Sequence, residues 1–334
     1  MKNFYKLLFS STLVMGTLIT ISSMSWIMAW IGLEINLLSL MPLMKTFKNK
    51  YSSEASIKYF ITQAMASSML LMSVLIFFNL TKMPLQLYEN MALIINFPLL
   101  MKMGAAPFHF WFPEVMSGLN WNLAFIMMTW QKIAPMVLLM YTTQAINLLT
   151  LIIILSSMIS GTQGLNQTCL RKILAYSSIN HSSWMISTIL NSSKIWLIYF
   201  LVYSIINFNI IIILNKFNIY FLNQLMKLMS FNKNLKFKFM ANFLSLGGLP
   251  PFLGFLPKWL TINMLVNNNF YWISILLIIF TLISLFIYLR LSFSTFSLNY
   301  NESIIKILKK INFNYIFINM LTLTSLILCS LFMN

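Results

Sequence analysis

The chain has 334 residues, 59% of them hydrophobic and 8% charged, with a formal net charge of +17 and a mean hydropathy of +0.82. Soluble domains carry about a quarter charged residues, so that class is excluded. Apolar runs of roughly 20 residues, long enough to cross a hydrocarbon core, recur from end to end. The basic residues lie in short loops between these runs, where orientation signals belong, and so argue for a lipid bilayer and against nucleic acid as partner.

In chain order, the runs predict eleven spans at about 5–24, 26–44, 55–80, 88–113, 120–142, 145–164, 172–192, 194–215, 238–266, 270–292 and 314–333. The first lacks a small-residue cleavage site and is followed at once by the second from Trp26, so it reads as a span and not as a secretory signal. Cys169 and Cys329 stand far apart in no metal-like spacing and read as apolar fillers. With eleven spans the termini lie on opposite faces. Seventeen basic residues then fall on the N-terminal face, and only Lys82 and Lys194 on the other. The positive-inside rule makes the N-terminal face cytoplasm or mitochondrial matrix.

The fourth and ninth spans are interrupted, at GAAPFHFWFPE (Gly104 to Glu114) and GLPPFLGFLPK (Gly248 to Lys258). The two stretches share Gly104/Gly248, Pro107/Pro251, Phe108/Phe252 and Pro113/Pro257 at a constant offset of 144 residues. Each lies fourth in a set of five helices. Five is odd, so the second set enters from the opposite face. The expectation is an all-α polytopic membrane protein with two inverted five-helix repeats, 1–143 and 145–295, and a closing helix within 296–334. Paired Gly/Pro-interrupted spans at matching places point to an ion path. Prolines also kink ordinary membrane helices, which is the plainer alternative.

Three lysines, Lys102, Lys132 and Lys258, fall in no loop, and Glu34 is the one acid placed mid-span. A lysine at the bilayer centre costs about 2.5 to 3.5 kcal/mol on insertion scales. Snorkelling to water explains lysines near span ends but fails for Lys132, deep in TWQKIAP one turn from Pro135, and for Lys102. Burial disfavours a charged ammonium and a nearby carboxylate favours it, so a lysine held between the two can take up and release a proton. His181, mid-span, suits a proton shuttle or is a satisfied core histidine. His109 either stabilises the break or transfers protons, and Glu114 reads as a span-edge acid. No dinucleotide fingerprint, phosphate loop, cysteine cluster or haem-like histidine pair occurs, so no redox centre is expected in this chain.

The stretches WIGLEINLLSLMPL (Trp30 to Leu43), KMGAAPFHFWFPEVM (Lys102 to Met116), MTWQKIAP (Met128 to Pro135), LNQTCLRKILAYSSINHSSWM (Leu165 to Met185) and NFLSLGGLPPFLGFLPKW (Asn242 to Trp259) carry a resemblance that extends over essentially the whole chain. It resembles the antiporter-like membrane-arm subunits of mitochondrial NADH:ubiquinone oxidoreductase (complex I), in the shortened animal form and of the insect type. The resemblance implies a proton-translocating subunit of the inner mitochondrial membrane, driven by electron transfer elsewhere in the assembly. Its partners would be other membrane-arm and accessory subunits. FMN, iron–sulfur clusters and ubiquinone would belong to those partners and no cofactor to this chain. By motif position the family's relay carboxylate carries over to Glu34, its lysines to Lys102, Lys132 and Lys258, and its histidine to His181. Ser182-Ser183 stands where relatives often have a small residue and glycine. A stand-alone cation/proton antiporter and a structural membrane scaffold are the competing readings. The absence of aspartate disfavours sodium coordination, which wants several oxygen ligands.

Overall fold

A computed structural model describes residues 2–45, 49–80, 86–229 and 233–297. The expected closing helix, and Cys329 with it, lies outside the described residues. The chain divides in sequence between Ser156 and Ser157 into two compact units. Among the described residues all regular structure is helical, apart from one isolated bridge between Cys169 and Phe221.

The first unit holds α1 (Lys2–Ser22), α2 (Trp26–Met44), α3 (Lys50–Leu80), α4 (Gln86–Met103), α5 (Trp111–Gly118), α6 (Trp121–Met128), α7 (Trp130–Met140) and the start of α8 (Ile146–Leu165). Ser25 caps α2 by accepting from the Met28 amide at 3.4 Å, the role a short hydroxyl side chain plays at a helix start. Helices α1 and α2 form a close hairpin. A Cβ at Gly32 would run into Thr20 and the Gly16 carbonyl, so only glycine allows this approach. That seam fixes Glu34, two residues further along α2. Helix α3 packs on α2, α4 and α5, and α4 packs on α7.

The second unit continues with α9 (Leu170–Ile189), α10 (Ser193–Phe217), α11 (Leu222–Met229), α12 (Lys233–Gly247), α13 (Phe255–Asn267) and α14 (Tyr271–Ser297). Helix α9 is buried along nearly its whole length, against α10, α13 and α14. It is nonetheless rich in serine. The hydroxyls of Ser177, Ser178, Ser182, Ser183 and Ser187 each donate to the carbonyl three residues back, so their polarity is met inside the helix. Arg290 of α14 donates to the Leu165 carbonyl at 2.7 Å, capping the end of α8.

Among the described residues, seven helical segments are long and apolar enough to cross a membrane. Their outward residues are apolar, as at Met15, Met72, Leu282 and Phe286, while Asn36, Gln63, Lys132 and Asn180 are buried. Apolar outside and polar inside is the arrangement of an integral membrane protein.

The fourth expected span is two helices, α4 and α5, separated by residues 104–110, and the ninth is α12 and α13, separated by 248–254, as their Gly/Pro stretches predict. Two local features differ from the sequence expectation. The fifth expected span is interrupted as well, at Thr129, between α6 and α7. Pro135 explains this, because it has no amide hydrogen for the Gln131 carbonyl and its ring crowds that carbonyl, distorting the preceding turn. Helix α11 is an additional short helix between the eighth and ninth expected spans.

Candidate proton site

Each break begins in the same way. Helix α4 ends at Gly104, φ 70°, where the Gly104 amide donates to Met101 (3.1 Å) and the Ala105 amide to Leu100 (3.1 Å). Helix α12 ends at Gly248, φ 78°, with Gly248 donating to Ser245 (2.9 Å) and Leu249 to Leu244 (3.3 Å). This is the paired-bond ending that a left-handed glycine permits. A cis peptide follows in each, Ala106–Pro107 and Pro250–Pro251.

In the first unit the carbonyls freed at the break are met by neutral donors. The Gln63 amide of α3 donates to the Lys102 carbonyl at 3.2 Å, and the Trp111 indole donates to the Met101 carbonyl at 3.2 Å. The Lys102 side chain is buried in the last turn of α4, and its ammonium makes no hydrogen bond or ion pair among the described residues. Glu34 is the acid whose charge reaches it through space. Its Oε1 is buried without a hydrogen-bond partner, and among the described residues no ion pair joins it to Lys102.

Lys132, on α7 three residues after the interruption, is also buried, with its ammonium 5.4 Å from the centre of the Phe112 ring. Lys102 and Lys132 both line a cavity of about 20 Å³, together with Asn36, Tyr59, Gln63 and Gln131. That volume holds about one water molecule.

His109 is buried inside the break. Its Nδ1 lies 3.2 Å from the Pro107 carbonyl, which requires the proton on that nitrogen, and its ring stacks on Phe110 at 4.2 Å. This hydrogen bond braces the turn. Glu114 is exposed and pairs with Lys58 at 2.8 Å, and Lys58 also reaches Glu54 at 2.9 Å. It is a surface acid, as its position at a span edge suggested.

In the second unit, Lys258 follows its break instead of preceding it. Its ammonium donates to the Gly247 carbonyl at 2.8 Å, at the C-terminal end of α12 where the helix dipole favours a cation. It also lies 5.8 Å from the Trp184 ring centre. Trp184 is three residues beyond His181 on α9. His181 is buried, with Nδ1 2.9 Å from the Tyr199 hydroxyl and its ring 4.9 Å from that of Tyr203.

The first unit therefore brings Lys102 and Lys132 to one small cavity, with Glu34 beyond its lining, and in the second Lys258 lies over the ring of Trp184, one helical turn from His181. Gln63, Gln131 and Tyr199 complete these surroundings and escaped the sequence reading. An amide within an otherwise apolar helix, as at Gln63, was the signal available.

Residues 23–284 match the family model described as NADH:quinone oxidoreductase/Mrp antiporter, TM. The chain is 49% identical over 305 residues to NADH-ubiquinone oxidoreductase chain 2 of Anopheles gambiae, covering 91% of this chain and 89% of the relative. Its fold is similar to a chain of respiratory complex I from Thermus thermophilus, with a TM-score of 0.87 and 24% identity over 98% of this chain and 79% of that one. A chain of the Mrp complex from Dietzia is more distant, with a TM-score of 0.73 and 14% identity over 85% and 59% of the two chains. With most of its length matched, this chain belongs to the NADH:quinone oxidoreductase/Mrp antiporter transmembrane family.

Proposed function

We propose that the chain is a proton-translocating membrane-arm subunit of a respiratory NADH:ubiquinone oxidoreductase, with Glu34, Lys102, Lys132, His181 and Lys258 as its proton relay. It lies in the inner mitochondrial membrane, N-terminus toward the matrix and C-terminus toward the intermembrane space. It is built as eleven spans in two inverted five-helix repeats, 1–143 and 145–295, with the closing helix in 296–334. Electron transfer takes place in partner subunits, which hold the FMN, iron–sulfur clusters and ubiquinone. Other membrane-arm and accessory subunits are its neighbours.

The observation that carries this reading is the Lys102 ammonium. It is buried, makes no hydrogen bond or ion pair among the described residues, and shares a water-sized cavity with Lys132 at the end of a broken helix. A charged ammonium in such a place depends on water and on Glu34 for its stabilisation. The arrival or loss of either changes which protonation state is favoured, and the broken helix is the element able to move between the two states. In the second unit Lys258 exchanges a backbone carbonyl for water when it lets go of Gly247, and His181 has a ring nitrogen engaged by a tyrosine hydroxyl. Both are groups that can pass a proton on.

The stand-alone antiporter reading is supported by the breadth of the family model and by the more distant Mrp likeness. Proton pumping measured against electron flow in Lys102→Ala, in a tractable relative with assembly checked, tests the proposal. NADH oxidation by an artificial acceptor should persist while quinone-linked pumping collapses. Unchanged pumping per electron would make Lys102 a solvated structural charge.

A further inference from the structure

The cavity between Lys102 and Lys132 has a polar wall that the relay residues do not account for. Gln131 lines it, and the Gln131 Nε2 is buried with no hydrogen-bond partner. An unmatched buried donor is costly, so its presence asks for a ligand. Its backbone carbonyl also lacks the usual helical donor, because the residue four positions on is Pro135. The interruption at Thr129 brings Gln131 to this place at the start of α7. Across the cavity, Gln63 has one amide hydrogen committed to the Lys102 carbonyl and retains its side-chain oxygen as an acceptor.

We infer that Gln131 is a positioning residue that holds a single water between Lys102 and Lys132. The cavity of about 20 Å³ admits one water, and a buried water needs two to four polar partners. Here one lone pair of the water accepts from Gln131 Nε2 and the other from whichever lysine is an ammonium. One water hydrogen is directed at the second lysine, as neutral amine, and the other at the Gln63 oxygen. Proton transfer then balances. An N–H bond of the ammonium breaks as a new O–H bond forms, an original O–H bond breaks, and the second amine gains the hydrogen. Net charge in the cavity is unchanged. Gln131 gains and loses nothing. It fixes the orientation of the water, and misplacement of a reacting group can cost up to about a hundredfold in rate.

The inference rests on the relay reading, and one set of measurements on the intact enzyme of a relative carrying these residues separates the two. Quinone-linked proton pumping is followed in Gln131→Met, which keeps the volume and removes the amide, and in Gln131→Asn, which keeps an amide donor. Difference infrared spectra in ordinary and ¹⁸O water detect an isolated internal water. Q131M should lose pumping-linked turnover roughly tenfold and lose the internal-water band, and Q131N should keep the band. A purely packing role would leave the band in place in Q131M, and that result, or full pumping in Q131M, overturns the inference. Should Q131M not assemble, Gln131→Ala takes its place with the same two outcomes. Absence of the band from the unsubstituted enzyme overturns the inference whatever the variants do. Unchanged pumping in Lys102→Ala would remove the relay reading itself, whereas collapse there with full pumping in Q131M removes Gln131 alone.

Discussion

Helices α4 and α12 end in the same pair of backbone bonds at a glycine of positive φ, yet different chemistry caps them. At α4 the freed carbonyls receive a neutral amide, Gln63, and a neutral indole, Trp111, and the nearby lysine ammonium is left to the cavity. At α12 the lysine itself is the cap, with Lys258 bonded to the Gly247 carbonyl. A break at membrane depth must have its backbone groups met by something. Where neutral side chains do this, the charge is available to water and protons. Where the charge does it, releasing the lysine also uncaps the helix, so proton movement and helix movement are tied together.

The largest expected effect tests how differently the two breaks are closed. A Cβ at Gly254 would collide with the Ser245 carbonyl oxygen, because the chain returns directly over the end of α12. At the same offset in the first break stands Phe110, which is exposed. Gly254→Ala should therefore fall at the upper end of single-substitution effects, roughly 4 kcal/mol, and remove most assembled complex on native gels. Phe110→Ala should leave assembly unchanged. Equal tolerance at both sites would mean the second break closes less tightly than its geometry indicates.

Next comes the pair of lysines. Lys258→Met removes a charge-assisted hydrogen bond and leaves the Gly247 carbonyl uncapped, a loss of about 1.5 to 3 kcal/mol. Lys102→Met removes no bond. Both should abolish quinone-linked pumping, but only Lys258→Met should lower the thermal stability of the assembled enzyme. Matching stabilities would erase the contrast between a capping lysine and an uncommitted one.

The breaks themselves were legible from Gly104, Pro107, Gly248 and Pro251, since left-handed glycine and proline act where they stand. The interruption at Thr129 was not, because its cause, Pro135, lies six residues downstream and acts through the Gln131 carbonyl. Burial of the serine-rich helix α9 was equally hidden. Its hydroxyls bond back within the helix, and a sequence shows the polarity without showing that it is already met. Glu34 and Lys102 could be named as mid-span charges. That they influence each other without pairing depends on side-chain placement, which no spacing rule supplies.

A smaller effect sharpens the first break. Gln63→Leu keeps the volume and removes the donor to the Lys102 carbonyl. Intramembrane hydrogen bonds of this kind contribute about 1 kcal/mol. The thermal midpoint of the assembled enzyme should fall slightly, and pumping should fall with it, because the turn that carries Lys102 loses its anchor. A stability loss with pumping intact would show that the break keeps its shape without the amide cap.

The smallest effect concerns the charge nearest the first break that takes no part in it. Glu114 opens α5 and is paired with Lys58, but both are well exposed, and Lys58 has Glu54 as a second partner. Exposed pairs are screened by salt and gain little over hydrated ions. Losing one acid leaves Lys58 still paired through the helix neighbour. Glu114→Gln should therefore change neither pumping per electron nor stability at physiological salt, with any difference confined to low ionic strength. A pumping defect that persists in high salt would place Glu114 on the proton path, and with it the first break would carry charge on both of its flanking helices.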